Sequence, residues 1–330
     1  MIRWAVVGTS FISDTMVRAI QASPGSDVAV VIGRDEGRLS EFRERHGITH
    51  QSTSLQRALD DHDVDAVYVG TPNHVHHNAT VIAARAGKAI LSEKSLAVSM
   101  AQTDELLAAV RDRVFFVEGL MYLAHPIIQR FVEVLTDTRL GRLVHINASY
   151  AANIAHLVNP EGRGAIYNLG CYPASLLQLV VDTLGASTFA QREMHATGII
   201  SPIDENVSEA AAVVRFESGI LATIHTAETY GNISNFEVLG TNGRFRFLSN
   251  PWLPQRGVNR FSWVGYDGST EEFDVDDPLD AFDHQVRMVE RNVGAQRLEA
   301  QRPSPRLDDS EALMVFLTQW ESLIRDRATH

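Results

Sequence analysis

A chain of 330 residues, 45% apolar and 21% charged, has the makeup of a globular protein and the length for two domains. Its net charge is −12 and no basic cluster stands out, which argues against nucleic acid and anionic membranes as partners. The single cysteine, Cys171, rules out an internal disulfide, and no apolar run reaches the ~18 residues of a spanning helix.

Ile2 to Val7 is a β-rich apolar run, so the chain opens on a strand and not on a secretory leader; a cytoplasmic protein is expected. Gly8-Thr9-Ser10-Phe11-Ile12-Ser13 follows, then a helical pattern through Met16, Val17 and Ile20. Strand, glycine turn and helix form a dinucleotide site when the turn reads G-x-G-x-x-G. Here serines fill the second and third glycine positions. A small residue still lets the backbone approach a pyrophosphate, and a helix amino end attracts anions. Gly8, Thr9, Ser10, Phe11 and Ile12 are therefore candidate cofactor contacts, although such a turn also opens domains that bind no nucleotide.

The next strand, Val28 to Ile32, ends in Gly33-Arg34-Asp35. An acidic residue at this strand end would hold a ribose 2′-hydroxyl, whereas arginine accommodates a 2′-phosphate. Arg34 and, one turn on, Arg38 favour NADP(H). NAD(H) stays open, because Asp35 is either a ribose ligand or the N-cap of the next helix.

A short strand is expected at Gly47-Ile48-Thr49-His50 and a clearer one at Ala66 to Gly70. Thr71-Pro72-Asn73-His74-Val75-His76-His77 then starts a helix, with Asn73 as its cap. Three histidines in four residues suggest a metal, but no second ligand cluster lies nearby and none is assigned. Ala89 to Leu91 is a strand ending in Ser92-Glu93-Lys94-Ser95. A helix from Ser99 to Arg113 and a strand at Val114 to Val117 follow. Strands alternating with helices predict a doubly wound parallel sheet, whose ligands bind at the carboxyl ends of its strands. Lys94 stands at such an end, or merely caps a surface strand.

Gly8-x-Ser10, Thr71-Pro72-Asn73-x-x-His76 and Glu93-Lys94, in that order, resemble the Gfo/Idh/MocA oxidoreductases. Glu118-Gly119-Leu120-Met121-Tyr122-Leu123-Ala124-His125-Pro126 is similar to a segment of the branch with xylose dehydrogenases, glucose-fructose oxidoreductase and dihydrodiol dehydrogenases. The resemblance implies a Rossmann domain over residues 1–121 and a mostly antiparallel open-sheet α+β domain over 122–307. It also implies a last helix, 308–325, returning to the first domain. It places Thr71, Pro72, Asn73, His76, Glu93, Lys94 and Gly33 on the cofactor side, and Tyr122 and His125 near substrate. Ser95 replaces the family proline after the lysine, and Leu123 an arginine. A cis bond before serine costs ~2.5–4 kcal/mol, so a trans Lys94-Ser95 bond is expected.

Beyond residue 121, apolar spacing predicts a helix over 124–136, and Leu143 to Ala151 reads as a strand. A helix is expected to open near Gly162 and run to Leu184. Where the family has D-x-G-x-H/Y, this chain has Asn168-Leu169-Gly170-Cys171-Tyr172. Asn168 and Tyr172, four apart, share a helix face, and Gly170 is expected to leave room for a ligand. By resemblance Tyr172 stands at the catalytic position; the rival reading is a core aromatic with a satisfied hydroxyl. Asn153 is a weaker pocket candidate. Short alternating runs at 188–195, 210–216, 220–228, 235–239, 244–247 and 260–266 predict an antiparallel sheet. Its free face is, by resemblance, an interface of a homodimer or homotetramer. Asp308 to Arg325 closes the chain as an amphipathic helix.

These features point to an NADP(H)-dependent oxidoreductase acting on a secondary alcohol, carbonyl or hemiacetal carbon of a sugar or cyclic diol. Tyr172 would be the general acid/base. A free phenol titrates near ~10, and the nearby ammonium of Lys94 would favour its phenolate. Asn168 would bond a substrate hydroxyl. The alternative is a catalytically silent NADP(H)-binding regulator of the same fold.

Overall fold

The computed structural model describes residues 1–185 and 188–328. It divides into two compact units, one of Met1–Ala124 and Ala281–Glu311, the other of His125–Asp280 and the residues from Ala312.

In the first unit, strands β1 (Ile2–Val7), β2 (Ser26–Ile32), β3 (His50–Ser52), β4 (Ala66–Val69), β5 (Ala89–Glu93) and β6 (Phe116–Gly119) alternate with helices. These are α1 (Phe11–Ala22), α2 (Glu36–His46), α3 (Leu55–Asp61), α4 (Asn73–Arg85) and α5 (Met100–Val110). The sheet is parallel throughout, in the order β3-β2-β1-β4-β5-β6. Strand order reverses between β1 and β4, which opens a crevice at their carboxyl ends. Trp4, Val6, Val31, Tyr68 and Leu91 are buried in its core with Met16, Val17 and Ile20 of α1. Apolar runs buried on both faces suit a sheet covered by helices.

Several boundaries differ from expectation for local reasons. β3 starts only at His50, because Gly47 caps α2 in the left-handed conformation at φ +64°. β6 starts at Phe116, because Arg113 and Val114 still donate to Val110 in a turn. Asn73 is the first residue of α4 and not its cap; Pro72 holds that place and makes no side-chain cap bond.

The second unit begins with α6 (Pro126–Leu135), β7 (Leu143–Ala152), a π-helical turn at Ile166–Gly170 and α7 (Cys171–Leu184). Then come β8 (Arg192–Ile200), β9 (Val207–Phe216), β10 (Leu221–Ala227), β11 (Asn232–Gly240), β12 (Gly243–Phe247), β13 (Gly257–Gly265) and β14 (Thr270–Asp277). The sheet order is β14-β13-β12-β11-β7-β10-β9-β8, antiparallel except for the parallel pair β7/β10. Phe131 of α6 lies edge-on to Phe236, Phe245 and Phe261, a core of paired aromatics. β8 begins at Arg192 because Thr188 to Gln191 closes a turn.

Three helices or strands are absent from the expected set: α3, β14 and α8 (Ala281–Gly294). β14, Thr-Glu-Glu-Phe-Asp-Val-Asp-Asp, is an edge strand with one fully buried position, Phe273, and its acidic residues hide the strand signal. α8 buries Asp283, Gln285 and Asn292 beside Val286 and Val289, which blurs its apolar stripe. The closing helix, α9 (Leu307–Ala328), follows.

Candidate active site

The glycine turn after β1 lies in the first unit. Gly8 adopts φ +113°, and a Cβ there would meet the Gly70 carbonyl oxygen at 2.6 Å, so only glycine fits. Ser10, which stands at a family glycine, turns its hydroxyl inward. It donates to Gly70 O at 3.0 Å and accepts from Ser13 N at 3.4 Å as the N-cap of α1. The serine thus leaves the outer surface of the turn to backbone amides at a helix amino end, where a phosphate is favoured. Thr9 packs near Gly33, and Ile12 is half-buried while Phe11 is 69% exposed. After β4, the Thr71 hydroxyl is buried and has no hydrogen-bond partner among the described residues. A glycine-only turn and an orphaned hydroxyl at the strand-order reversal fit a bound dinucleotide. Past β2, Arg34 and Arg38 are exposed, and Asp35 accepts from Arg38 N at 3.0 Å as the N-cap of α2.

Lys94 follows β5 and is half-buried. The Lys94-Ser95 peptide bond is cis, which corrects the expected trans bond. The chain is anchored just after it: Ser95 O lies 2.9 Å from His76 Nδ1, and Leu96 N donates to Glu118 Oε1 at 2.9 Å. His76 is fully buried, and its Nε2 lies 2.7 Å from Thr71 O. One ring thus links the turns after β4 and β5. Burial lowers His76 to a pKa of about 4, and the Lys94 and His74 charges push the same way against the two carbonyls. The neutral ring donates to one carbonyl at a time.

Two carboxyls flank this turn. Glu93, 5% exposed, accepts from the Tyr68 hydroxyl at 3.0 Å; burial raises its pKa against the Lys94 charge. Glu118, 1% exposed, is pushed up to about 7, chiefly by burial, with the Glu93 charge adding and the Ser310 hydroxyl, the Leu96 amide and Lys94 opposing. Tyr122 is fully buried in a 3-10 turn, Met121–Ala124.

In the second unit, Asn168 lies in the π-helical turn and Tyr172 in the first turn of α7. Asn168 Nδ2 donates to Glu228 Oε2 at 2.7 Å, with both residues buried. Burial raises the Glu228 carboxyl, aided by the Asp204 charge and opposed by the Asn168 bond. Tyr172, 6% exposed, meets Tyr150 of β7 edge-on at 5.2 Å, and Tyr150 lies 6.0 Å from Trp252. Burial pushes the Tyr150 phenol up to about 12. Gly170 does not leave room for a ligand: a Cβ would meet Trp320 at 3.2 Å and Thr226 at 3.3 Å. Asn153 is exposed, and buried His125 caps α6, its Nδ1 accepting from Ile127 N at 3.1 Å. Glu118, Tyr150 and Glu228 had no role from sequence. An acid at a strand end beside a missing family aspartate is the signal that could have marked Glu228.

Residues 2–117 match the Gfo/Idh/MocA family described as oxidoreductases with an NAD-binding Rossmann fold, and residues 128–246 match that family's C-terminal domain. The chain belongs to the Gfo/Idh/MocA oxidoreductase family. This family member is 30% identical to 1,5-anhydro-D-fructose reductase of Ensifer adhaerens over 74% of either chain. It is 28% identical to trans-1,2-dihydrobenzene-1,2-diol dehydrogenase of Bos taurus over 77% of this chain and 76% of that one. It superposes on a 3-ketoreductase of Actinomadura kijaniata, solved with TDP-benzene and NADP, with a TM-score of 0.82. Identity there is 25%, covering 98% of this chain and 96% of the other. As a Gfo/Idh/MocA dehydrogenase or reductase, the protein uses a nicotinamide dinucleotide. No helix among the described residues is long and apolar enough to cross a membrane.

Proposed function

We propose that this oxidoreductase uses NADP(H) to interconvert a secondary alcohol or hemiacetal carbon with its carbonyl form on a sugar or cyclic diol. Lys94 carries the reading. It leaves the carboxyl edge of the parallel sheet in a turn braced by His76, Glu93 and Glu118. The anhydro-sugar and diol substrates in the relatives' names support the substrate class. Arg34 and Arg38, with Asp35 committed to capping α2, support a 2′-phosphate.

When bound, the nicotinamide supplies or accepts the hydride. The chain's own groups handle the proton. Lys94 donates a hydrogen bond to the substrate oxygen. Tyr172 takes or returns the hydroxyl proton. Thr71 and the glycine turn hold the dinucleotide phosphates and ribose side; Asn168 orients a second hydroxyl. His125, Tyr122 and Asn153 line or support the substrate side.

The test is turnover, followed by nicotinamide absorbance, on aldoses, inositols and dihydrodiols. Lys94→Ala and Tyr172→Phe should each lose roughly 10²–10⁴-fold in kcat with NADPH affinity kept. Full turnover in both variants refutes the roles. Tight NADPH binding with no turnover by wild type favours the silent regulator. The outward face of the second sheet exposes Ile199, Val213, Leu221 and Ile233, which supports a homodimer or homotetramer through that face. Solution mass checks it.

A further inference from the structure

Glu228 follows β10, and its main chain is fixed at both ends. Its N–H donates to Ser208 O at 3.1 Å, and its carbonyl accepts from Ile154 N and Ala155 N, both at 2.9 Å. The side chain is correspondingly placed. One oxygen, Oε2, takes the amide of Asn168, and no donor among the described residues reaches the other, Oε1. A carboxylate can accept about four hydrogen bonds, and this one, 4% exposed, takes one from a side chain of the protein. Oε1 is not sealed from outside, so solvent or a bound ligand supplies its further donors. A hydroxyl is the group that donates to a carboxylate and also accepts in return. The neighbour that holds Glu228 is four residues before Tyr172, so this carboxylate borders the turn that presents the candidate acid/base.

We propose that Glu228 is a substrate-binding residue: it accepts a hydroxyl hydrogen bond from a polyol through Oε1, with Asn168 holding the carboxylate in place. The inference rests on the polyol reading above and deepens it. It adds to Asn168's proposed substrate contact a positioning role through its Nδ2, and it places the site's carboxylate at residue 228 where the family motif has it at 168. An amide at 168 and a carboxylate at 228 form a donor–acceptor pair. Two carboxylates there would repel, and one would have to bind a proton.

The experiment uses NADP⁺-loaded full-length protein and titration calorimetry with D-glucose, D-xylose and myo-inositol. Wild type, Glu228→Gln, Asn168→Asp and the double swap N168D/E228Q are compared, with NADP⁺ affinity confirming that each variant folds. The swap is decisive, because it keeps an amide–carboxylate bond with the partners exchanged. E228Q should weaken polyol binding roughly 10- to 100-fold, the range for a hydrogen bond to a charged group. The swap should restore the thermal midpoint without restoring polyol affinity. Unchanged polyol affinity in E228Q overturns the proposal, as does recovery of affinity in the swap, which would mark the pair as structural. Wild type binding none of the three polyols overturns it as well. Polyol binding that depends on Glu228, with no NADP⁺ reduction, leaves the proposal standing and removes the redox reading instead.

Discussion

Around Lys94, polar side chains grip main chain: His76 meets two carbonyls and Glu118 takes the Leu96 amide. Around Asn168, one side chain grips another drawn from 60 residues away. The lysine turn is a local device at the edge of a parallel sheet, where neighbouring strand ends deliver consecutive motifs. The asparagine turn is assembled by topology, from a π-helical turn and the end of β10. Main-chain anchoring fixes where the chain runs. Side-chain anchoring leaves the chemistry of the pair open to exchange. The two regions should therefore respond differently to mutation.

The largest difference is expected at the glycines. Gly8→Ala drives a Cβ into backbone at a positive φ, with no flexible neighbour to yield. It should cost about 2 kcal/mol or more and abolish NADPH binding. Gly170→Ala meets the side chains of Trp320 and Thr226 at 3.2 and 3.3 Å and touches backbone only at 3.6 Å, ordinary contact distance. The helical gain of alanine offsets much of that crowding, so stability should stay within about 1 kcal/mol of wild type. Denaturant midpoints and NADPH fluorescence check both; equal losses would erase the contrast.

Next come the buried titrating groups beside Lys94, which act with opposite signs. Glu118 is raised from 4.5 to about 7, so the folded protein holds its proton. The stability it adds is complete below pH 4.5 and lost as pH rises through about 7. His76 is lowered from 6.5 to about 4, so the folded protein keeps it neutral. Its contribution is complete above pH 6.5 and lost as pH falls through about 4. A tenfold change in proton affinity is about 1.36 kcal/mol, so each swing is worth about 3 kcal/mol. Between pH 4.5 and 6.5 the two slopes oppose. Glu118→Gln keeps an acceptor for the Leu96 amide and removes one slope, so its stability should rise with pH across that window relative to wild type. His76→Gln should show the reverse. Parallel profiles for the two variants would show that neither group titrates as placed.

How much could be read in advance follows the same division. Gly8, Thr71 to His76 and Glu93-Lys94 lie in short runs whose chemistry is carried by neighbours in sequence, and the parallel sheet follows from their spacing. Glu228 pairs with Asn168 because the end of β10 packs against the π-helical turn, which no local pattern specifies. The acidic edge strand β14 and the polar-lined α8 broke the periodicities by which strands and helices are recognised. A motif singles out Tyr172 as a candidate but not its aromatic wall, because Tyr150 and Trp252 belong to separate strand and loop segments. The cis bond after Lys94 runs against single-residue preference, which favours trans before serine.

The smallest effect is expected at the exposed end of β2. Arg34 and Arg38 are solvent-facing, so Arg34→Ala with Arg38→Ala should change stability by less than about 0.5 kcal/mol. Screening keeps an exposed ion pair near ~0.2–1 kcal/mol, so NADPH affinity should fall roughly 2- to 30-fold for the two together. The loss should shrink further with added salt, and NADH affinity should not move. Asp35→Ala separates the two roles of that carboxylate. As the cap seen on α2, it costs about 1 kcal/mol of stability and leaves NADH affinity unchanged. As a ribose ligand, its loss would weaken NADH binding directly. A fall in NADH affinity without a fall in stability would move the cofactor preference from NADP(H) to NAD(H), and the arginines would then be ordinary surface charges.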